Sequence, residues 1–578
     1  MENSSDPKKL NIAFLSNFTL NGLFGVMEEQ CKEEGIEVKE YFAPYNQFMQ
    51  EILNTSSRLY FFNPKIIFII LDIENYFGDF FHFPYRIDDK SRKEVISKAF
   101  EEIKYLISIL KKNTQAKIVF NSFLEPLYSS RGILENKNPF GFKKLIRNLN
   151  SLLEEEFSQD PRTFLFDTNS FYSKRGYENI YDPKMDYLGD IKMSPESLQR
   201  LAKEYISYIY PLTSNTKKCI VLDLDNTLWG GVVGEEGIDN IKLGPDKEGK
   251  PFLDFQKKIL ELFERGIILA INSKNNYEDA MDVLKNHKHM LLKEDHFASM
   301  RINWQNKASN ILEIAKEIGI GVDSLVFIDD DETNRKLVKE MVPGVTILDL
   351  PEDPSLYRKV LENLNCFNTF SLSEADTKKG EMYVQQKKRK EFQEEIKNID
   401  FFLKKLEIVV EVIETPLRII PRIAQLTQKT NQFNLTTKRY FEEDIGKFIS
   451  SENHLVLAIN VKDIFGDYGI TGLAIIKKQQ ERETWEIDTF LLSCRILGKN
   501  IEFALMDVIV GLSKKEAIKK IVANFIPTKK NKPSENFLEG CGFVLVGEKE
   551  GVKNYILEID KKVNKELLLK IEGKEWNL

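Results

Sequence analysis

The ten residues Cys219-Ile-Val-Leu-Asp-Leu-Asp-Asn-Thr-Leu228 constrain this chain more than any other stretch. An apolar run from Ile220 to Leu224 delivers two carboxylates, Asp223 and Asp225, followed by the hydroxyl of Thr227. Burying ionised carboxylates at a strand's end is unfavourable unless a cation or hydrogen-bond donors meet them. The pattern therefore calls for a magnesium ion and a nucleophile at this point. Two acids two residues apart on a strand point to opposite faces. They share one ion only if the chain turns after the first, which suits backbone ligation at the second.

Around this stretch the chain reads as a multidomain α/β protein. Its 578 residues exceed what a single hydrophobic core organises. A first region, 1–212, alternates strand-like runs with helical patterns. The runs are Leu10 to Leu15, Ile66 to Leu71, Lys117 to Phe120 and Thr163 to Phe166, and they predict a parallel sheet covered by helices. Ser194-Pro195-Glu196 predicts a capped helix start. A second region, 213–372, repeats strand–helix–strand, with strands at Ile267 to Asn272 and Leu325 to Ile328. Polar residues gather after these strands, where ligands bind in open parallel sheets. The run Trp229-Gly-Gly-Val-Val-Gly234 predicts a hairpin-like flap. A third region, 373–578, opens with a charged helical stretch, Lys378 to Lys397, containing Gln385-Gln-Lys-Lys-Arg-Lys390. That stretch reads either as a solvated connector or as a basic docking surface. Beyond it come strands at Leu455 to Val461, Gly472 to Lys477 and Glu486 to Ser493, and a helix at Ile501 to Leu512.

Composition narrows the function class. A net charge of −7 disfavours a general nucleic-acid coat. Five scattered cysteines form no CxxC pair, which fits a reducing cytoplasm and argues against a disulfide framework or a zinc site. No signal peptide opens the chain, and no apolar stretch is long enough to span a bilayer. The five histidines form no evident triad or metal set.

Asp223, Asp225, Thr227, Ser273, Lys307, Asp329 and Asp330 together form a set that resembles the haloacid dehalogenase superfamily of phosphotransferases. The resemblance covers all four of that superfamily's motifs, in order, each after a strand or at a helix start. It implies that Asp223 attacks phosphorus and that Asp225 protonates the leaving oxygen and later activates water. It also implies that Thr227, Ser273 and Lys307 bind the phosphoryl group, and that Asp223, Asp225, Asp329 and Asp330 hold Mg2+, Asp225 through its carbonyl. Lys274 lies close enough in the sequence to compete with Lys307. Neither 228–252 nor 274–306 is long enough for a large folded cap, so the site is expected to be open and to need a bulky partner to exclude water.

A narrower resemblance is carried by Val221 through Glu235, by Phe327-Ile-Asp-Asp330 with Arg335, by Gln425 through Leu435, and by Asp488 through Gly498. These look like the FkbH family, haloacid dehalogenase subfamily IIIC. Where members typically carry Asn-Pro after the paired acids, Asp331-Glu332 stand here. The resemblance implies a phosphatase and acyltransferase that dephosphorylates a glyceryl-type acyl phosphate such as a bisphosphoglycerate. The acyl group would then be loaded onto the phosphopantetheine thiol of an acyl carrier protein.

The third region resembles a GNAT acyltransferase. Arg495, Gly498 and Asn500 fall on that fold's pantetheine- or CoA-binding loop, with Asn500 replacing a small residue. Cys494 beside that loop reads either as an acyl-carrying thiol or as a core cysteine. Asn431, Gln432 and Asn434 read either as acyl-pocket residues or as side chains satisfying a buried loop. The first region resembles an SGNH-hydrolase domain in which Asn17 stands where the nucleophile belongs and Met193 where the histidine belongs. An amide and a thioether cannot form an activated pair, so this region is expected to dock or dimerise, with Ser16 the fallback nucleophile. Two other readings compete: a phosphatase or phosphotransferase on a sugar or small-metabolite phosphate in surface-polysaccharide biosynthesis, and a non-enzymatic scaffold.

Overall fold

The computed structural model describes residues 9–20, 22–213, 216–372, 374–396, 399–479, 483–528, 531–549, 551–559, 568–573 and 576–577. Within those, the side chains at 374, 375, 394, 395, 399, 400, 429, 494, 576 and 577 lie outside the described set. The chain divides into two compact units, one of residues 1–218 with 359–372, the other of 219–358 with 373–578.

In the first unit, short apolar runs become the strands β1 (Leu10–Ser16), β2 (Val38–Phe42), β3 (Ile66–Ile70), β4 (Lys117–Asn121) and β5 (Thr163–Phe166). They pair in parallel in the order β2-β1-β3-β4-β5. The amphipathic helices α1 (Leu23–Glu33), α2 (Asp89–Asn113), α3 (Phe142–Ser158) and α4 (Pro195–Ile209) supply the covering layers. α4 starts where the sequence signal puts it, with the Ser194 side chain accepting from the Ser197 N–H. The strand β2 carries no signal of its own, because Lys39 and Glu40 interrupt its apolar residues at a sheet edge.

Residues 359–372, expected in the second region, belong instead to this unit. The Lys217 N–H donates to the Cys366 carbonyl at 2.9 Å, and Phe370 packs on Phe164 with ring centroids 5.0 Å apart.

The second unit holds two sheets. The first is parallel and built from β6 (Cys219–Leu222), β7 (Ile268–Ser273), β8 (Phe297–Ile302), β9 (Leu325–Asp329) and β10 (Thr346–Asp349), in the order β10-β9-β6-β7-β8. Four helices belong to this sheet: α5 (Lys250–Glu264), α6 (Tyr277–Asn286), α7 (Lys307–Ile318) and α8 (Glu332–Met341). The strand order reverses between β6 and β9, which is where an open parallel sheet leaves a crevice for ligand.

A long helix, α9 (Lys379–Glu395), leads to the second sheet. Its strands are β11 (Val409–Glu414), β12 (Phe433–Asn434), β13 (His454–Asp463), β14 (Gly466–Gln479), β15 (Thr484–Leu492), β16 (Lys520–Phe525), β17 (Val544–Lys549), β18 (Val552–Glu558), β19 (Lys570–Gly573) and β20 (Trp576–Asn577). Helices α10 (Ile420–Lys429) and α11 (Ile501–Lys515) lie among them in sequence. The central pairs β13–β14 and β14–β15 are antiparallel, whereas β15 and β16 are parallel. The β15–β16 ladder stops at Ile487↔Ala523, while β15 runs on to Leu492, so the two strands part beyond that point. The result is a mixed sheet with helices between its strands, an α+β arrangement. No helix of the described residues is long and apolar enough to cross a membrane.

Asp488 on β15 is the strongest buried electrostatic feature of this sheet. Its carboxylate is 1% exposed and accepts from the Lys438 ammonium at 2.6 Å, the Lys477 ammonium at 2.8 Å and the Tyr440 hydroxyl at 2.6 Å. Burial alone would raise its pKa, but these donors hold it down at about 2. A carboxylate depressed in the folded state contributes stability that is fully present above its ordinary value and is lost as pH falls through the folded one. Asp488→Asn is expected to cost about 2 kcal/mol of unfolding free energy at neutral pH, by the size of that depression. The difference from the native chain should shrink as pH falls from about 4 toward 2, measured by urea denaturation across that range.

Candidate active site

Each catalytic candidate sits where a strand of the first sheet of the second unit ends or a helix begins. β6 is wholly buried, and the Asp223 N–H extends its ladder to the Ile328 carbonyl of β9 at 2.9 Å. This pairing sets Asp223 beside Asp329, the last residue of β9. The chain then turns, with Asn226 at φ 53° and the Leu228 N–H donating to the Leu224 carbonyl at 2.8 Å. That turn lets two acids two residues apart serve one site.

Asp225 points away from the acid cluster. One of its oxygens accepts from the Trp229 indole N–H at 2.8 Å and the Val233 N–H at 3.2 Å, and the other from the Asn275 amide at 2.9 Å. Burial raises its pKa and the charge of Asp223 adds to that, against the pull of these three donors. A carboxyl group raised in this way is better suited to give and take a proton than an ordinary aspartate.

Lys307 opens α7 and is 1% exposed. Its ammonium reaches Asp223 Oδ2 at 2.7 Å and Asp329 Oδ2 at 2.5 Å. Burial works against the charged form of Lys307, yet the two carboxylates beside it hold its pKa above the ordinary lysine value. Lys274 turns elsewhere, donating to Asn334 Oδ1 at 3.3 Å. Asp330 is pushed up to about 6 by burial and by the charges of Asp223 and Asp329. Asp331 is spent on capping α8, accepting from the Thr333 N–H at 2.7 Å. Thr227 is fully buried with its hydroxyl 3.5 Å from Asp330, and Ser273 closes β7 with 1% exposure.

These acids fit a divalent cation. Carboxylate oxygens of Asp223, Asp329 and Asp330 all lie within 4.8 Å of one another. Asp223 Oδ1 is buried with no hydrogen-bond partner, and a buried carboxylate oxygen without a donor needs a cation. Lys307 alone cannot neutralise three carboxylates.

Three residues that the sequence reading gave no role hold the acids in place. Arg335 donates through one nitrogen to the carbonyls of Asp329 at 2.7 Å and Asp330 at 2.6 Å, pinning the loop after β9. Trp229 and Asn275 orient Asp225, and their only signal was proximity to motif residues. The expected flap is a loop closed by the Gly230↔Lys242 bridge and carrying a short helix, Val233–Glu236. Gly231, at φ 94°, leaves room there for the Glu236 carboxylate, which a Cβ would meet at 2.4 Å. Among the described residues no separate cap is inserted, since 274–306 contributes only α6, β8 and their connections.

The other candidates fall elsewhere. Arg495, Gly498 and Asn500 lie between β15 and α11, as the loop was expected to. The Cys494 side chain lies outside the described residues, and the four cysteines whose side chains are described are buried. Asn434 gives its amide to the loop around it, donating to the Thr430 carbonyl at 3.3 Å and accepting from the Thr437 N–H at 2.9 Å. Asn431 accepts from Arg439, and Gln432 is exposed. Of this trio, Asn434 bonds the backbone of its own loop, whereas Asn431 meets only the Arg439 side chain.

In the first unit, both polar ends of the Asn17 amide are bound to the Asp72 backbone, at 3.0 and 2.7 Å. Ser16, the fallback nucleophile, is tied to the Phe18 backbone. Met193 is buried, and the neighbouring Lys192 pairs with Asp186 at 2.8 Å and Asp190 at 3.1 Å. No nucleophile–base pair stands there among the described residues.

The parallel sheet, its switch-point acids and the buried lysine define a phosphotransferase core of the haloacid dehalogenase type. Residues 11–210 match the family model for the FkbH N-terminal domain. A structure of the N-terminal part of BF1531 from Bacteroides fragilis, containing a phosphatase domain complexed with Mg, is 30% identical. It covers 63% of this chain and 95% of its own, with a TM-score of 0.57. The chain belongs to the FkbH-like family and is an enzyme of the haloacid dehalogenase type. A GNAT-family acetyltransferase from Desulfovibrio desulfuricans aligns at 13% identity over 26% of this chain and 99% of its own, with a TM-score of 0.22. A spermidine/spermine N-acetyltransferase from Vibrio cholerae aligns at 17% over 27% of this chain and 95% of its own, with a TM-score of 0.21. No curated protein matches the chain.

Losing the Asn275 hydrogen bond to a charged carboxylate should cost about 2 kcal/mol, so Asn275→Ala is expected to lower kcat for phosphate release by about thirtyfold. Because the amide favours ionised Asp225, its removal raises that group's pKa. The alkaline limb of the pH–rate profile, where Asp225 loses its proton, should therefore move to higher pH. Trp229→Phe keeps the ring, removes the indole N–H, and should move the same limb the same way.

Proposed function

We propose that the chain is a magnesium-dependent phosphatase and acyltransferase. It removes phosphate from a glyceryl-type acyl phosphate, such as a bisphosphoglycerate, and passes the acyl group to the thiol of an acyl carrier protein. The observation that carries the metal-dependent half is the orphaned oxygen of Asp223 among Asp329 and Asp330. Membership of the FkbH-like family supports the acyl-transfer half, and the BF1531 phosphatase domain complexed with Mg supports the choice of ion.

Asp223, Asp329 and Asp330 would hold the ion, with the Asp225 carbonyl as a further ligand. When bound, the ion neutralises charge on the phosphoryl oxygens and so lets an anionic nucleophile approach. Asp223 attacks phosphorus, its new O–P bond forming as the bond to the ester oxygen breaks. Asp225 gives its proton to that leaving oxygen. Water then attacks the aspartyl phosphate, Asp225 takes the water proton, and inorganic phosphate leaves with Asp223 restored. Lys307 and Ser273 face the negative phosphoryl group through this cycle. At the acyl end of the substrate, a thiolate adds to the carbonyl carbon and the acyl-phosphate C–O bond breaks, releasing the second phosphate. A protein partner seated at the site after β6 and β9 would exclude water from it.

The test incubates the full chain with magnesium, a bisphosphoglycerate and a pantetheinylated carrier, and weighs the carrier. A mass gain equal to one glyceryl group is expected, and Asp223→Asn should abolish phosphate release. Phosphate release without a mass gain would leave a plain phosphatase acting on a sugar or small-metabolite phosphate. A glyceryl adduct on the peptide containing Cys494 would mark that thiol as the first acceptor.

A further inference from the structure

The run Gln385-Gln-Lys-Lys-Arg-Lys390 reads in the sequence as a solvated connector or a basic docking surface, and the structure spends much of its charge internally. Lys388 pairs with Asp295 at 2.8 Å, and Lys390 donates to the Glu317 carbonyl at 2.7 Å. Arg389 turns inward onto the buried Asp463 carboxylate at 2.7 and 2.8 Å. Unspent positive charge gathers instead in the first unit, around the loop 122–141 that follows β4.

That loop is built around one buried acid. The Glu135 carboxylate accepts from the Tyr85 hydroxyl, from the Ser129 hydroxyl at 2.6 Å and from the Lys143 N–H at 2.9 Å. Gly141 makes room for it, since a Cβ there would meet the carboxylate at 2.6 Å. The Lys143 ammonium donates to the Leu127 carbonyl at 2.6 Å, and the Arg131 guanidinium lies 4.2 Å over the Tyr85 ring. The backbone is thus fixed, yet its apolar side chains face water. Ile133 is 90% exposed and Tyr128 83%, and Leu127 and Leu134 are exposed with them. Phe83 and Ile87, on either side of Tyr85 in the sequence, are exposed as well.

We propose that this face of the first unit is a docking surface for an acidic protein, which in the proposed reaction is the acyl carrier protein.

Shape and charge both point to such a partner. Grouped apolar side chains on a protein surface mark an interaction site, whereas scattered single ones do not. Tyrosine and arginine, present here together, are the types that anchor interfaces. Because Glu135 ties the loop down beforehand, little freedom is lost on binding. Around the apolar residues stand five exposed cations, Arg86, Lys93, Arg131, Lys137 and Lys144. Among the described residues none of the five forms an ion pair, and Arg86, Lys93 and Arg131 face only the rings of Phe83, Phe140 and Tyr85. The acids of segments 83–93 and 125–147 are already committed. Asp88 caps α2 through the Ser91 N–H at 2.7 Å, Asp89 pairs with Arg92, Glu125 pairs with Arg147 at 2.6 Å, and Glu135 is inside. A local excess of cations on a chain of net charge −7 favours a negatively charged partner. A second copy docked by two-fold symmetry would bring the same five cations face to face. An anionic membrane would meet the repulsion of the chain as a whole.

The face shares no residue with the Asp223 site, and the choice of the carrier as partner rests on the proposed acyl transfer. The test measures binding of a pantetheinylated acyl carrier protein from the same organism to the full chain, by calorimetry. Saturable binding is expected, and it should weaken as salt rises. Ile133→Asp and Arg131→Glu should each raise Kd about tenfold or more, the size of effect that an interface anchor carries. Both should leave phosphate release from a bisphosphoglycerate, measured without carrier, unchanged.

No saturable binding up to about 1 mM carrier would overturn the inference, as would affinities indifferent to both substitutions. So would binding to phosphatidylglycerol vesicles, or a dimer of the chain, that both substitutions abolish, since the face would then belong to a membrane or a second copy. Should the variants fail to fold, hydrogen exchange on the native chain decides. The carrier should slow exchange at 127–134, and unchanged rates there overturn the inference. A carrier that binds this face but gains no mass removes the proposed reaction and leaves the docking surface. A carrier that is loaded with a KM unmoved by Ile133→Asp does the opposite.

Discussion

The Lys307 ammonium between Asp223 and Asp329 is the interaction on which the rest of the second unit depends. Two adjacent parallel strands end in acids that would repel one another, and a third, Asp330, follows at once. Like charges at this spacing cannot all ionise without compensation. A single buried cation relieves part of the repulsion, while burial first and then the charge of Asp223 still raise the pKa values of Asp329 and Asp330. The remainder is what a divalent ion would take up. The unfavourable electrostatics are tolerated because β6 and β9 are buried along their whole length and pair residue for residue.

A site built on such opposed charges needs rigid supports. Arg335 ties the loop after β9 by two carbonyls, and Asn275 and Trp229 hold Asp225 away from the cluster. Asp223 and Asp225 thus do different work two residues apart, because one faces a lysine and the other faces neutral donors. The first unit shows the opposite outcome on a similar sheet. At its switch point, between β1 and β3, Asn17 is locked to the Asp72 backbone, and a lysine–carboxylate network occupies the neighbouring loops. Fully satisfied polar groups of this kind lend stability and leave nothing to react.

Much of this was legible in the sequence, for a definite reason. Buried parallel strands are continuous apolar runs, so β1, β3, β6, β7 and β9 declare themselves, and the acids after β6 and β9 stand out against them. β2 and β8 do not, because β2 is an edge strand interrupted by Lys39 and Glu40 and β8 includes Ser299 and Arg301. The motif order favoured Lys307, with Lys274 close enough in the sequence to compete. Their separation depends on where α7 begins relative to β9, which is a packing outcome. Arg389 was hidden more deeply, since nothing in a run of lysines and glutamines marks the one cation that faces inward.

The residues by themselves determined the α/β class, the order of the motifs and the chemical types present at the centre, because these follow from hydrophobic period and from which side chains can bear charge. Only the tertiary structure decided which of those side chains share a space. It paired Asp223 with Lys307, turned Asp225 toward Trp229 and Asn275, returned residues 359–372 to the first unit, and turned Arg389 of α9 inward onto Asp463. Electrostatic and hydrogen-bond energies fall off within a few ångströms, and separations of that size between distant parts of a chain are set by how its sheets and helices pack.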